Sequence, residues 1–517
     1  MDASFGPLCF NLALPRSAFC HLLTSRVNNM KKIAICMSLL LCQAWALSCT
    51  TPVTISEAGW DVSTPKVAIN EEGEISALWV YKNPENNENT LFTATRDGEK
   101  KWSAASLSDP VEEVGFRKAF IDDQGNHFVC WQIKKEDPEE DNLKYYQFAK
   151  KEKNQAWTPA VNILRPEDKL KHIQVAFDSQ GNPLLLGHTE AKDPKETWRT
   201  EYSVVSVFYS HQKGEVKKTE FAKANSYSQH LSKNREGKVF AWWQHRGSDY
   251  SKQLTRASLQ SNGSWSIPTA LFHSDRSIHD TKGAMNSKGD QAMLWEESEY
   301  DKAKTIQAIT CFNGQWSKPV DLAVSEDYFN KLDIAMNDEG HVVASWQRSE
   351  KGKKVIIYAT EKPVGQPWFF PVALTDPKKD ISHVKISIDD QGNILIAWTA
   401  FEGRKEASYA AYKPIHQEWM APVRLSGEMC GNIKVETNHQ GSFVVLWNEY
   451  LRKQISIHGA TLSTATKEWS SARLSPEGQD CGSFKLVFNK EGQGVIAWLT
   501  SWDAEDFYVQ VAELNVD

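Results

Sequence analysis

Short apolar runs alternate with polar turns along this chain, and one unit of the alternation recurs nine times. Residues 386–400, ISIDDQGNILIAWTA, show it clearly: two apolar runs flank a polar turn, and a tryptophan closes the second run. Aligned on the turn glycine, the units fall at Gly73, Gly125, Gly181, Gly237, Gly289, Gly340, Gly392, Gly441 and Gly492. Asn or Asp stands three residues before each glycine. Six residues after it stands Trp79, Trp131, Trp243, Trp295, Trp346, Trp398, Trp447 or Trp498, and only the third repeat departs, with Gly187. An Asx residue opening a turn bonds its own backbone, and a later glycine supplies positive φ without a Cβ clash. Each unit therefore predicts a β-hairpin whose second strand is buried on both faces.

A looser third strand follows each hairpin, as in VIIYATE. A fourth carries its own tryptophan in a W-x-x-(P/A)-x-x-L pattern, as in WTPAVNIL and WMAPVRLS. Proline suits an edge strand, where a missing N–H costs nothing. Four strands in about 50 residues, repeated without helix signals, predict the blades of a β-propeller. A stacked β-solenoid is the alternative, although its rungs are usually shorter. The tryptophans then fill the wedges between blades. The ninth repeat stops after a third strand, and the missing fourth lies at the other end: CTTPVTIS, residues 49–56, matches WMAPVRLS with Cys49 in the tryptophan slot. The expectation is one all-β, nine-bladed ring over residues 49–517, closed by this N-terminal strand. Two smaller rings remain an alternative.

From Met30 the chain reads MKKIAICMSLLLCQAWALSCT, a basic start, an apolar run and then small residues. This predicts a secretory signal over residues 30–48, with residues 1–29 an upstream extension. Cleavage is expected near AWA (residues 44–46) or ALS (residues 46–48). ALSC also resembles a lipoprotein box, which would make Cys49 a lipidation site. The expected address is the periplasm, the outer membrane if Cys49 is lipidated, or the exterior. No C-x-x-C pair supports zinc or thioredoxin-like chemistry. Cys430 and Cys481, each followed by glycine in adjacent repeats, are candidates for a disulfide. A formal net charge of −7 disfavours nonspecific nucleic-acid binding.

The (D/N)-x-x-G-x-x-x-x-x-W unit resembles repeats of exported bacterial β-propeller proteins. It is more distantly similar to sialidase-like and quinoprotein-like propellers, which the resemblance matches in architecture alone. The sialidase Asp-box S-x-D-x-G-x-x-W and the quinoprotein turn threonine are absent. H-E-x-x-H, G-x-S-x-G and phosphate-loop motifs are absent too, so no catalytic residue, metal or cofactor is expected.

First-to-second strand connections are short and uniform, whereas second-to-third strand loops are long and differ in every blade. Function tends to sit on such loops over a rigid scaffold. Six of them carry a large aromatic residue: Trp198, Tyr250, Tyr300, Phe401, Tyr450 and Trp502. Exposed aromatics stack on sugars or anchor peptides. A second candidate ring lies nine residues before each turn glycine, near the channel mouth, and includes His172, Asp280, Lys331 and His383. Loops of early blades are acidic (Glu85, Glu136–Asp141, Glu296, Glu297) and loops of later ones basic (Arg348, Lys351, Arg404, Lys405, Arg452, Lys453). These features predict a monomeric, non-catalytic scaffold for an envelope or host protein, or for a glycan. The competing expectation is a glycan-cleaving enzyme of sialidase-like architecture.

Overall fold

The computed structural model describes residues 47–516, except 60, 136–142, 193–199, 223–225, 235, 247–250, 300, 350–354, 377–379, 428, 439–440, 452–453, 465 and 503–505. Within them are nine antiparallel sheets, one for each turn glycine, here called blades 1 to 9 in chain order. Blade 7 is representative, with strands Asp380–Ile388, Ile394–Glu402, Lys405–Lys413 and Val423–Arg424 pairing in chain order. Pro268, Pro319, Pro371 and Pro422 each immediately precede the paired part of a fourth strand, so none removes a ladder bond.

All nine turn glycines have positive φ, between 76° and 97°. The Asx residue accepts the backbone N–H four positions on, as Asp389 Oδ1 does from Asn393 at 2.7 Å. Where it is aspartate, the residue after the glycine is asparagine and returns a side-chain bond, for instance Asn393 Nδ2 to Asp389 Oδ2 at 2.7 Å. Where it is asparagine, its Nδ2 is free to reach the next blade. Asn70 donates to Asp122 O (3.1 Å), Asn234 to Asn286 O (3.1 Å) and Asn337 to Asp389 O (2.9 Å). Asn489 of blade 9 donates to Asn70 O of blade 1 at 3.0 Å. The asparagine turns thus also tie blades together, across the closing seam included.

The eight motif tryptophans are all buried, each at most 3% exposed. Trp398 packs with Val343 and Ile357 of blade 6, and Trp498 with Leu446 and Ile457 of blade 8. Trp79 of blade 1 packs with Val495, Ala497 and Val511 of blade 9, which joins the last blade to the first. The exception also has a cause. A Cβ on Gly187 would come within 2.7 Å of Leu170 Cγ and Lys171 O. Leu170 and the rings of Phe128, Phe148 and Tyr209 fill that wedge instead.

The N-terminal strand closes the ring as expected. Val53–Thr54 pairs with Val511 and Gln510, and Ile55 N donates to Val509 O at 2.9 Å. Pairing begins earlier than the sequence suggested, with Ser48 and Cys49 opposite Asn515 and Leu514. Leu47, which the sequence reading left in the leader, is 2% exposed in the core between blades 8 and 9.

Candidate binding face and central lumen

First strands line the axis of the ring, and each meets the first strand of the next blade. Their common feature is a bulge near the loop-face end. Eight first strands shift register there, as between Ile381 and Val384 in blade 7 and Gly431 and Lys434 in blade 8. In blade 1 the first strand is instead split into Asp61–Val62 and Lys66–Ile69. The second ring of candidates sits on these bulges, and His172, Asp280 and Lys331 adopt φ of 49°, 42° and 51°. A left-handed non-glycine residue costs about 1–2 kcal/mol, which neighbouring blades offset. The residue after the motif tryptophan holds the next bulge: Gln244 Nε2 donates to Thr281 Oγ1 (3.2 Å) and Gln347 Nε2 to Ser382 O (2.9 Å).

His172, Asp280, Lys331 and His383 are all exposed, but they spread over blades 3, 5, 6 and 7. His172 stacks on His188, with ring centroids 5.0 Å apart. Asp280 is occupied by Lys282 Nζ (2.5 Å) and by Leu332 N of blade 6 (3.2 Å). His383 Nδ1 lies 4.0 Å from Glu406 Oε1, which accepts Ser382 Oγ and Thr399 Oγ1 at 2.5 Å each. The structure brings His383 and Glu406 together and leaves the other three in separate contacts.

Of the aromatic rim, Trp198, Tyr250 and Tyr300 lie outside the described residues. Phe401, Tyr450 and Trp502 are 40%, 38% and 62% exposed, on the consecutive blades 7, 8 and 9. Tyr450 N donates to Met429 O at 2.8 Å, so this hairpin leans over the blade 8 bulge, beside exposed Met429 and Leu451. The loop charges need correcting, for Arg348 lies half-buried in the strand Val342–Ser349, 4.9 Å from the Tyr358 ring centroid. Glu296 and Glu297 are buried strand residues; Glu297 accepts Ser274 Oγ and pairs with Arg276, because their strand, Gln291–Ser298, continues past the tryptophan. Glu85, Arg404 and Lys405 are exposed, whereas residues 136–141, 351–354 and 452–453 lie outside the described set.

Cys430 and Cys481, the candidates for a disulfide, are free thiols in the structure. Each is buried in a different inter-blade core; Cys430 Sγ bonds Ser408 Oγ (2.9 Å) and Cys481 Sγ bonds Thr500 Oγ1 (3.2 Å). Burial pushes both thiols above the ordinary range. Cys49 Sγ is half-buried and donates to Leu474 O at 3.2 Å.

One group of residues escaped the sequence reading. Seven positions before the turn glycine, below the bulge, stand Lys66, Lys118, Gln174, His230, Lys282, Asp333, Lys385, Lys434 and Lys485. These side chains influence one another around and across the axis. After burial, the causes lowering Lys66 are Lys485, Arg117 and Lys434, the last of them two blades away. Lys434 is lowered by burial, then by Lys485 and Lys385. Toward the turn face Glu436 is accessible from the lumen, and desolvation in that recess pushes its carboxyl up to about 7 against the pull of Lys434, Lys385 and Lys485. There too, Lys233 of blade 4 reaches past blade 3 to lie 3.8 Å from the Phe120 ring centroid of blade 2.

No family model matches the chain, and no curated protein matches it. Solved structures similar in fold include a eukaryotic initiation factor, at 8% identity over 85% of this chain and 96% of that one, with a TM-score of 0.47. The β-propeller domain of the Trilobed protease from Pyrococcus furiosus matches at 9% identity over 73% and 96%, with a TM-score of 0.33. The polysaccharide lyase Uly1 matches at 9% identity over 67% and 89%, with a TM-score of 0.37. These likenesses concern the propeller fold alone.

Proposed function

We propose that this protein is an exported binding scaffold that holds a glycan or an envelope protein on its loop face, over blades 7 to 9. The observation that carries this reading is the run of exposed Phe401, Tyr450 and Trp502 on three consecutive blades. A rigid ring that presents aromatic side chains loses little entropy on binding. His383 and Glu406 add polar groups beside that arc. The test is a glycan array and an envelope-extract pull-down, each repeated with all three aromatics changed to alanine. Binding is expected for the native protein and at least a tenfold loss in the variant; undiminished binding would remove the arc from the account.

The same reading includes export through the leader of residues 30–46 and a mature chain beginning at Leu47, without a lipid. Burial of Leu47, pairing of Ser48 and the engaged Cys49 thiol support cleavage after Ala46. A lipoprotein cut before Cys49 would remove the first two and require the third to carry a bulky thioether. Mass spectrometry of the exported protein decides this: a Leu47 terminus without added mass supports the reading, and an acylated Cys49 terminus overturns it.

One observation favours a second reading, glycan cleavage. Glu296 of blade 5 is buried, which raises its carboxyl; Lys304 lowers it in part, and Asp280 raises it further. A carboxylic acid of raised pKa near a second carboxylate is the pairing that glycosidic hydrolysis uses. Turnover of any array ligand, lost in Glu296→Gln, would establish it.

A further inference from the structure

We infer that the central lumen is an anion-binding site, and that Lys385, Lys434, Lys485 and Lys66 hold a small multivalent oxyanion there. These four lysines occupy the same position on blades 7, 8, 9 and 1, so they form an unbroken arc across the ring-closing seam. Lys385 is exposed and the others are half-exposed, so a solute that enters from the loop face can reach them. None has a hydrogen-bond or ion-pair partner among the described residues. The arc contrasts with the two other lysines of the ring: the ammonium of Lys118 is taken up by Val175 O at 2.8 Å, and that of Lys282 pairs with Asp280.

Charge balance carries the inference further. The protein as a whole is acidic, with a formal net charge of −7, yet two carboxylates, Glu436 and Asp333, accompany these four cations. Two carboxylates do not balance four ammonium groups. Asp333 of blade 6 flanks the arc, also raised by burial, with Lys385 and Lys282 acting against that rise. A cleft lined by one sign of charge, with low-dielectric walls, focuses its field and concentrates counter-ions. Four like charges held together cost stability unless an anion is bound. The ligand chemistry is therefore two or more negative charges on phosphate- or sulfate-type oxygens, either free or carried on a saccharide.

The experiment uses the exported protein at constant ionic strength, with inorganic pyrophosphate and a sulfated tetrasaccharide as the two probes, followed by calorimetry and thermal melting. Pyrophosphate is expected to bind once per chain and raise the melting temperature. Lys434→Gln/Lys485→Gln is expected to weaken binding at least tenfold and abolish that rise. The surface control Lys213→Gln/Lys217→Gln should leave both intact. Because like-charge repulsion is relieved, the lumen variant should melt no lower than the native protein. Should it fail to fold, Lys385→Gln, at an exposed position, is expected to show a weaker loss of the same kind. Lumen-dependent binding of the saccharide alone would assign the anion to a glycan. Binding of neither probe, or binding that the lumen substitutions leave unchanged, would overturn the inference.

Discussion

Replacing Asn489 with aspartate should weaken the seam where blade 9 meets blade 1. Asn489 Nδ2 donates to Asn70 O at 3.0 Å and to Gln493 Oε1 at 2.9 Å, while its Oδ1 accepts Gln493 N at 2.8 Å. Aspartate keeps the acceptor and loses both donations, and a carboxylate oxygen then faces the Asn70 carbonyl. Gln493 recovers one bond by turning its amide. What remains is one lost buried bond, about 0.5–1.5 kcal/mol, plus an unmet buried oxygen at about 1–3 kcal/mol. The sum is roughly 2–4 kcal/mol. Entropy scaling for a cooperative unit of this size gives about 1 °C per kcal/mol, so calorimetry should show a Tm lower by roughly 2–4 °C. Adding Gln493→Asn recreates the aspartate–asparagine pair seen at Asp389 and Asn393 and should restore part of the loss, though not the bond to Asn70. An unchanged Tm in Asn489→Asp, or a double variant less stable than the single one, would refute the idea that turn asparagines clasp the ring.

Three further outcomes follow from the same contacts. A chain beginning at Glu57 loses the closing strand with buried Leu47 and Ile55; at about 1.5–3 kcal/mol for each side chain, roughly 3–6 kcal/mol goes before any ladder bond is counted, and light scattering should report aggregation from the open edge. Glu436 has a folded pKa of about 7 against an ordinary 4.5, so the native state binds more protons than the unfolded one between these values. Stability should therefore fall as pH rises from 5 to 8, and Glu436→Gln should flatten that part of the Tm–pH curve; an identical slope in the variant would count against the raised pKa. Cys430 and Cys481 should each take one alkylating group after denaturation without reductant, whereas a mass lower by two protons and resistant to alkylation would reveal a disulfide.

Much of the architecture was legible because the repeat writes its physics at fixed spacing. Gly392 marks a positive-φ turn, Trp398 a wedge, and residues 52–56 a displaced fourth strand. Asn at position 489 against Asp at position 389 was also visible. Its meaning required knowing that the next blade's carbonyl lies within reach of the side chain. The site was less legible, because the first-strand bulge leaves no residue signature. Its positive-φ positions are filled by His172, Asp280, Lys331, Asn432 and Ser483 alike. Those positions are exposed, apart from half-buried Asn432, but the bulge spreads them among local contacts. The lysines two residues further on, which share the lumen, were passed over. Glu296 and Glu297 were misread for a related reason: their strand outruns its tryptophan, and burial by the neighbouring blade is a tertiary fact.

The central claim, that a ligand is held on the loop face over blades 7 to 9, is tested most directly by hydrogen exchange with and without a ligand captured on the array. The account predicts slowed exchange in residues 400–406, 427–434 and 450–455 and around Trp502, with the turns at Gly73 to Gly492 unchanged. Protection confined to those turns, or to the outer edge of blades 6 and 7 around exposed Phe369 and Phe370, would contradict it.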